Sequence, residues 1–226
     1  MSFQAPSQAS SNRHRVYKRI SCSLITTGTE IIQGSIQDSH TRFLAGELKK
    51  INVTMRMVLH LPDDRDLLSR ELIRLAKEDT VIIVTGGLGP TSDDVAREAI
   101  ADAAGVPLVF DESVWNAMKS RFPGVTSWES NRKQALLPEG FTPVDNPRGT
   151  ACGIIGKAGH ATIIALPGPP VEMRAMFLES VLDILEGSAG EAIPEMTGSA
   201  FFVPESRLAD VFQRTGHDPV QMSTRL

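Results

Sequence analysis

The stretch Val81-Ile82-Ile83-Val84-Thr85-Gly86-Gly87-Leu88-Gly89-Pro90-Thr91-Ser92-Asp93-Asp94 constrains this chain more than any other. Its opening run is apolar without polar alternation, the pattern of a strand buried on both faces of a parallel sheet. Glycine then occupies three of the four positions 86–89. Glycine at that density gives up backbone entropy for a tight turn or for close backbone approach to a ligand. A strand opening into such a loop and then a helix puts a ligand at the edge of an open sheet. The helix is expected over 95–104, with Val95, Ala96, Ala99, Ile100, Ala103 and Ala104 on one face. Asp93 and Asp94 fall at its first turn. There a carboxylate either caps backbone N–H groups or stands beside bound phosphate as a metal ligand. No lysine follows the glycines, so this is neither the lysine-bearing phosphate loop nor the dinucleotide fingerprint. Phosphate charge must be met by N–H groups, a cation or a side chain from elsewhere.

The same punctuation recurs twice. Residues 20–26 read as a strand ending in Thr26-Thr27-Gly28-Thr29-Glu30, followed by a helix with Phe43, Leu44, Leu48 and Ile51 on one side. Residues 162–166 read as another strand, ending in Pro167-Gly168-Pro169-Pro170. A helix over 171–185 follows, with Met173, Met176, Phe177, Val181 and Ile184 as its apolar stripe. In a parallel sheet these three strand ends converge on one binding face.

The remaining segments fill in an alternating α/β chain. A strand over 53–61 leads through Pro62-Asp63-Asp64 into a helix over 65–77 with Leu68, Leu72, Leu75 and Ala76 inward. Asp63 or Asp64 serves as helix cap, as a carboxylate facing ligand, or as both. A further helix runs from Asp111 to Phe122, with Trp115 and Met118 packing. The turn Asn131-Arg132-Lys133-Gln134-Ala135 is either a solvated surface or the source of the missing positive charge. Asn146 to Gly153 is a loop rich in turn formers, and the segments after it form a β-hairpin closing on the 162–166 strand.

A chain of 226 residues accommodates one domain of about 150 to 200 residues and a remainder. No run reaches the roughly 20 apolar residues of a membrane span. The opening Met1 to Ser11 is polar and reads as a disordered tail, not an export signal. Arg13, His14, Arg15, Lys18 and Arg19 form a basic lead-in. With a net charge of -4 over the whole chain, nucleic acid is not an expected partner. Two cysteines without a spacing motif fit a reducing cytoplasm, and the five histidines show no zinc spacing.

Six blocks in order resemble one family. They are Thr27-Gly28-Thr29-Glu30, the glycine loop with Thr91, Asp93 and Asp94, Asn131 to Ala135, Leu137-Pro138-Glu139-Gly140, Asn146 with Gly149-Thr150-Ala151, and Leu166 to Pro170 with Glu172-Met173. Together they resemble the amino-terminal domain of CinA, the competence/damage-inducible protein. That domain belongs to the molybdopterin-binding superfamily shared with MoaB and Mog. The resemblance covers 20–185, giving a domain over 20–186 between the lead-in 1–19 and a segment 187–226. That last segment is similar only to a linker and the opening of the CinA middle domain. Full-length CinA continues into a nicotinamide mononucleotide deamidase, so deamidation is not expected of this chain.

The resemblance implies a three-layer αβα sandwich with a mostly parallel sheet, in a homo-oligomer, binding a nucleotide or pterin phosphate at the strand ends. CinA-like members hydrolyse ADP-ribose at the pyrophosphate with a divalent metal, a related domain cleaves FAD, and the Mog branch adenylylates molybdopterin. Asp94 falls at the aspartate of the family's glycine-loop motif and Asp63 at the other acidic position. Gly86, Gly87 and Gly89 match the backbone cradle. The family's Gly-Thr-Ala-Pro-Gly block is here Gly149-Thr150-Ala151-Cys152-Gly153. On this basis Asp94 and Asp63 are expected to hold Mg²⁺, Mn²⁺ or Co²⁺. Thr27, Gly28, Thr91, Asn131, Gly149, Thr150 and Gly168 join the glycines around phosphate. Lys133 or Arg132 stabilises developing charge, and Glu30 is a candidate base or metal ligand. Molybdopterin binding or adenylyl transfer without hydrolysis is the alternative reading.

Overall fold

The computed structural model describes residues 20–124 and 128–187, with Arg207 and Arg214 as isolated positions. The expected lead-in 1–19 and almost all of the expected segment 187–226 lie outside the described residues. The elements alternate as the hydrophobic periods require. Strand β1 (Ile20–Thr27) runs into a short helix α1 (Thr29–Ile32), α2 (His40–Lys50), β2 (Val53–Leu61), α3 (Arg65–Leu75), β3 (Val81–Thr85) and α4 (Ala96–Ala104). Then come β4 (Leu108–Phe110), α5 (Glu112–Arg121), a 3-10 helix (Ser130–Ala135), β5 (Leu136–Pro138), β6 (Thr142–Val144), β7 (Gly153–Ala158) and β8 (Ala161–Leu166). Helix α6 (Pro170–Met176) continues through a π-helical turn (Phe177–Val181) into α7 (Leu182–Glu186).

The main sheet has the order β2-β1-β3-β8-β7-β6. Strands β2, β1, β3 and β8 are mutually parallel, and the β7–β8 hairpin and β6 add antiparallel pairs at one edge. β3 is buried along its whole length between β1 and β8, as its unbroken apolar run predicts. Its side chains alternate between two cores. Ile82 and Val84 pack with Leu68 and Leu72 of α3 and Ala99 and Ile100 of α4. Val81 and Ile83 pack on the other face with Leu44 and Leu48 of α2 and with Met173 and Phe177. The result is the expected three-layer αβα sandwich. Among the described residues, no helix is long and apolar enough to cross a membrane.

Three local departures have physical causes. Helix α4 starts at Ala96, so Asp93 and Asp94 lie in the turn before it and not in its first turn. Asp64, not Asp63, caps α3, accepting from Leu67 N at 2.9 Å. The π-helical turn inserts extra chain into the expected 171–185 helix and shifts its phase. Leu185 therefore takes the inward position expected for Ile184, which is 42% exposed.

Candidate ligand site

The chain crosses from one side of the sheet to the other between β1 and β3, and there the loops after the two strands diverge. In open α/β sheets this switch point is where ligands bind. The loop after β8 approaches from the next strand, and together the loops enclose a cavity of about 400 Å³. Of the sequence-predicted residues, Thr27, Gly28, Glu30, Asp63, Gly86, Gly87, Gly89, Asp94, Thr150 and Gly168 line it. Thr91, Asn131, Lys133 and Gly149 do not. Gln134 and Glu172 line it as well, although sequence reasoning assigned neither a role.

The glycine loop is folded to offer N–H groups. Gly86 and Gly87 have φ of 101° and 67°, where a side chain is strained. Gly86 N–H donates to Leu166 O at 3.0 Å, locking the loop to β8. The Gly87 carbonyl accepts from Ala96 N at 3.1 Å and the Leu88 carbonyl from Arg97 Nη1 at 2.7 Å, so both point towards α4. A trans peptide sets its N–H opposite its C=O, so the N–H groups of Leu88 and Gly89 turn away from that helix. Among the described residues, the N–H groups of Gly87, Leu88 and Gly89 meet no acceptor. Adjacent N–H groups in such a turn form an anion-binding concavity.

Around these donors stands a wall of five carboxylates, Glu30, Asp63, Asp93, Asp94 and Glu172, with no lysine or arginine. Two of them brace loops. Thr29 N and Oγ1 donate to Asp63 Oδ2 at 3.0 and 3.1 Å, and Thr91 N and Oγ1 donate to Asp94 Oδ2 at 2.9 and 2.6 Å. Glu172 accepts from Asn146 Nδ2 at 2.7 Å, and the same amide donates to Ala151 O at 2.8 Å. Glycines admit three of these carboxylates. A Cβ on Gly28 would sit 2.6 Å from Glu30 Oε1, on Gly89 2.4 Å from Asp94 Oδ2, and on Gly149 2.0 Å from Glu172 Oε2. Gly149 thus contributes by making room for Glu172, not by lining the cavity.

The cations expected to face phosphate are engaged elsewhere. Lys133 Nζ donates to the carbonyls of Thr91 (3.1 Å) and Asp94 and pairs with Glu98 at 3.3 Å. It ties down the end of the glycine loop because those carbonyls turn outward before α4. Arg132 lies over the Phe110 ring at 4.5 Å. Beneath the site His40 is buried, its Nδ1 3.0 Å from Thr85 Oγ1. Burial and the Arg174 charge together outweigh the Asp38 carboxylate and push the His40 imidazole below its ordinary pKa.

The donor chemistry fits a hard divalent cation, because oxygen dominates the wall and no thiol or imidazole lines it. Among the described residues, no group of three or more His, Cys, Asp or Glu forms a ready metal cage. An ion here would be held by one or two carboxylates, the rest of its shell coming from ligand oxygens and water, the usual arrangement for Mg²⁺.

Fold and site together define an open α/β domain with a polar cavity of small-molecule size at its strand ends. Residues 23–187 match the family described as "Probable molybdopterin binding domain", and the chain belongs to this family. Within it, the domain is the amino-terminal domain of CinA proteins. A CinA-like protein of Akkermansia muciniphila is 39% identical over 183 residues, 79% of this chain and 44% of that protein. The chain thus spans less than half of that relative's length. A solved CinA protein of unknown function from Thermoplasma acidophilum is 30% identical, with a TM-score of 0.69 over 74% of this chain and 98% of its own. A molybdopterin biosynthesis protein from Mycobacterium abscessus shares the fold at 16% identity, with a TM-score of 0.51 over 75% of this chain and 96% of its own.

Proposed function

We propose that this domain hydrolyses the diphosphate of ADP-ribose, or of a related dinucleotide such as FAD, in a divalent-metal-dependent reaction. One observation carries the reading: three residues with acceptor-less N–H groups, Gly87, Leu88 and Gly89, line the same cavity as five carboxylates, with no cationic side chain on its wall. A diphosphate placed on the N–H groups meets repulsion from that wall unless a cation accompanies it. Asp94 and Asp63 would hold the ion, which supplies charge neutralisation on the phosphates when bound. ADP-ribose is the substrate that the resemblance to CinA proteins implies. Water adds to one phosphorus, the bond from that phosphorus to the bridging oxygen breaks, and AMP and ribose 5-phosphate leave. Glu30 and Glu172 are the carboxylates available to take the water's proton.

A second reading, capture of a pterin phosphate such as molybdopterin without hydrolysis, is supported by the match of residues 23–187 to the molybdopterin-binding family. The two separate in one assay. The purified chain is incubated with Mg²⁺, Mn²⁺ or Co²⁺ and with ADP-ribose, FAD, NADH or molybdopterin, and products are read by mass. The hydrolase reading expects AMP and ribose 5-phosphate, only with metal, and no deamidation of nicotinamide mononucleotide. No cleavage with any metal, together with stoichiometric molybdopterin binding, would replace it with the second reading. A homo-oligomer is part of the same proposal, and light scattering on the eluted protein reads it.

A further inference from the structure

Arg97 is the largest fully buried side chain of the molecule's described part, 0% exposed on α4 directly beneath the glycine loop. Its Nη1 donates to the Leu88 carbonyl at 2.7 Å. Its Nε and Nη2 meet no oxygen or nitrogen acceptor. The Cys152 thiol beside it is a weak acceptor and, being buried, is itself pushed above its ordinary pKa. Among the described residues, no carboxylate lies within ion-pair distance of the guanidinium. Arginine does not shed its proton in proteins, so a positive charge is held in the core without a contact ion pair, with the Glu98 and Asp94 carboxylates acting on it only from a distance. Such a charge is costly, and an orphaned buried donor of this kind calls for a physical explanation.

Its position offers one. The Leu88 carbonyl that Arg97 holds belongs to the Leu88–Gly89 peptide, whose N–H then points the opposite way, towards the cavity that Leu88 and Gly89 line. The charged side chains that line the cavity are all negative, so besides a metal ion a positive charge that attracts phosphate comes from behind the backbone.

We propose that Arg97 is a positioning residue of the anion site: its guanidinium fixes the Leu88–Gly89 peptide with Gly89 N–H facing the cavity, and its charge, in no contact ion pair, supplies attraction for a phosphate-bearing ligand. This rests on the reading of the strand-end cavity as a phosphate site, but not on hydrolysis there. The buried charge acts through the loop at short range and, shielded from solvent, is only weakly screened by salt.

The test titrates inorganic phosphate and inorganic pyrophosphate, each with Mg²⁺, into the full chain and into Arg97→Met, Arg97→Gln and Arg97→Lys, with thermal unfolding of each. Arg97→Met is expected to weaken pyrophosphate about 10-fold or more, and phosphate by less, because the loss grows with ligand charge. Arg97→Gln keeps a donor without the charge and is expected to lose nearly as much. Arg97→Lys restores the charge and is expected within about 3-fold of the wild type. A purely structural role predicts equal losses for the two anions in proportion to the fall in melting temperature, and that result overturns the proposal. Wild-type affinity in folded Arg97→Gln or Arg97→Met overturns it too, as does failure of even Arg97→Lys to fold. If the wild type binds neither anion, the anion site itself falls and the proposal with it. If it binds pyrophosphate but cleaves no diphosphate, only the hydrolase reading fails and the variant series still decides Arg97.

Discussion

The two ends of the central strands handle buried charge in opposite ways. At the amino-terminal end, Asp79 is 1% exposed and fully engaged. It accepts from Ser23 Oγ at 2.6 Å and from Arg56 Nε and Nη2 at 2.9 and 2.7 Å. Arg56 reaches it because the β1–β2 register skips that residue, a bulge that turns its side chain towards β3. At the carboxyl-terminal end, Arg97 keeps two unpartnered donors and the glycine loop keeps three free N–H groups. Groups closed on each other add to stability, whereas groups left open are available to a ligand. The first end is therefore expected to serve stability and the second binding.

The sharpest break between them is Asp94→Asn. Asn still accepts from Thr91, so the loop keeps its brace and the fold is retained, but the carboxylate charge is lost. ADP-ribose cleavage is expected to fall at least about 100-fold with little change in melting temperature. Full activity in the folded variant would reduce Asp94 to a loop brace.

Asp79→Ala should show the reverse pattern. It strands the Ser23 hydroxyl in the core and leaves Arg56 with Glu78 as its ion-pair partner, and an expected cost of about 2 to 3 kcal/mol should appear in urea unfolding. Ligand affinity should not change, and a large fall in affinity with unchanged stability would dissolve the division between the two ends.

Gly86→Ala falls between these cases. At φ 101° with a Cβ 2.6 Å from the Thr27 carbonyl, it should cost about 1 to 3 kcal/mol and also weaken anion binding by displacing the loop. Loss of stability alone would detach the glycine turn from the site.

The smallest effects are those of pH. Burial raises the Asp79 pKa, but the hydrogen bonds from Arg56 and Ser23 and the Arg56 charge outweigh it, so the net shift is downward. Its stabilisation is present above the unfolded value of about 4 and is lost as pH falls through the lower folded pKa. His40 is shifted down by burial, so the unfolded chain takes up that proton first and stability declines as pH drops below about 6.5. Melting temperature measured from pH 7 to pH 5 should fall in the wild type and fall less in His40→Asn.

These contrasts also show what the sequence could disclose. β3 was legible because burial on both faces removes polar alternation, and the three strand-end loops because glycine and proline mark them. Asp64 and Asp63 were not separable, since adjacent carboxylates at a helix start look alike until one is seen on Leu67 N and the other on Thr29. Lys133 read as a free cation because nothing local shows that its amine curls onto the carbonyls of Thr91 and Asp94, far away in sequence. Glu172 was hidden as an ordinary acidic residue in a first helical turn, and only its pairing with Gly149 across the fold reveals it. Arg97 was masked by helical period. Charged residues next to Ala96 are expected outside, and its burial follows from the loop folding over it.

The central claim is that the strand-end cavity takes a diphosphate together with a divalent cation. Its most direct measurement is calorimetric titration of α,β-methylene-ADP, whose bridge cannot be hydrolysed, into the chain with Mg²⁺ and again with EDTA. The account predicts one site per chain, at least about 10-fold tighter with Mg²⁺, with that gain lost in Asp94→Asn. Equal affinity with and without the metal, or a metal-dependent gain that survives in Asp94→Asn, would contradict it.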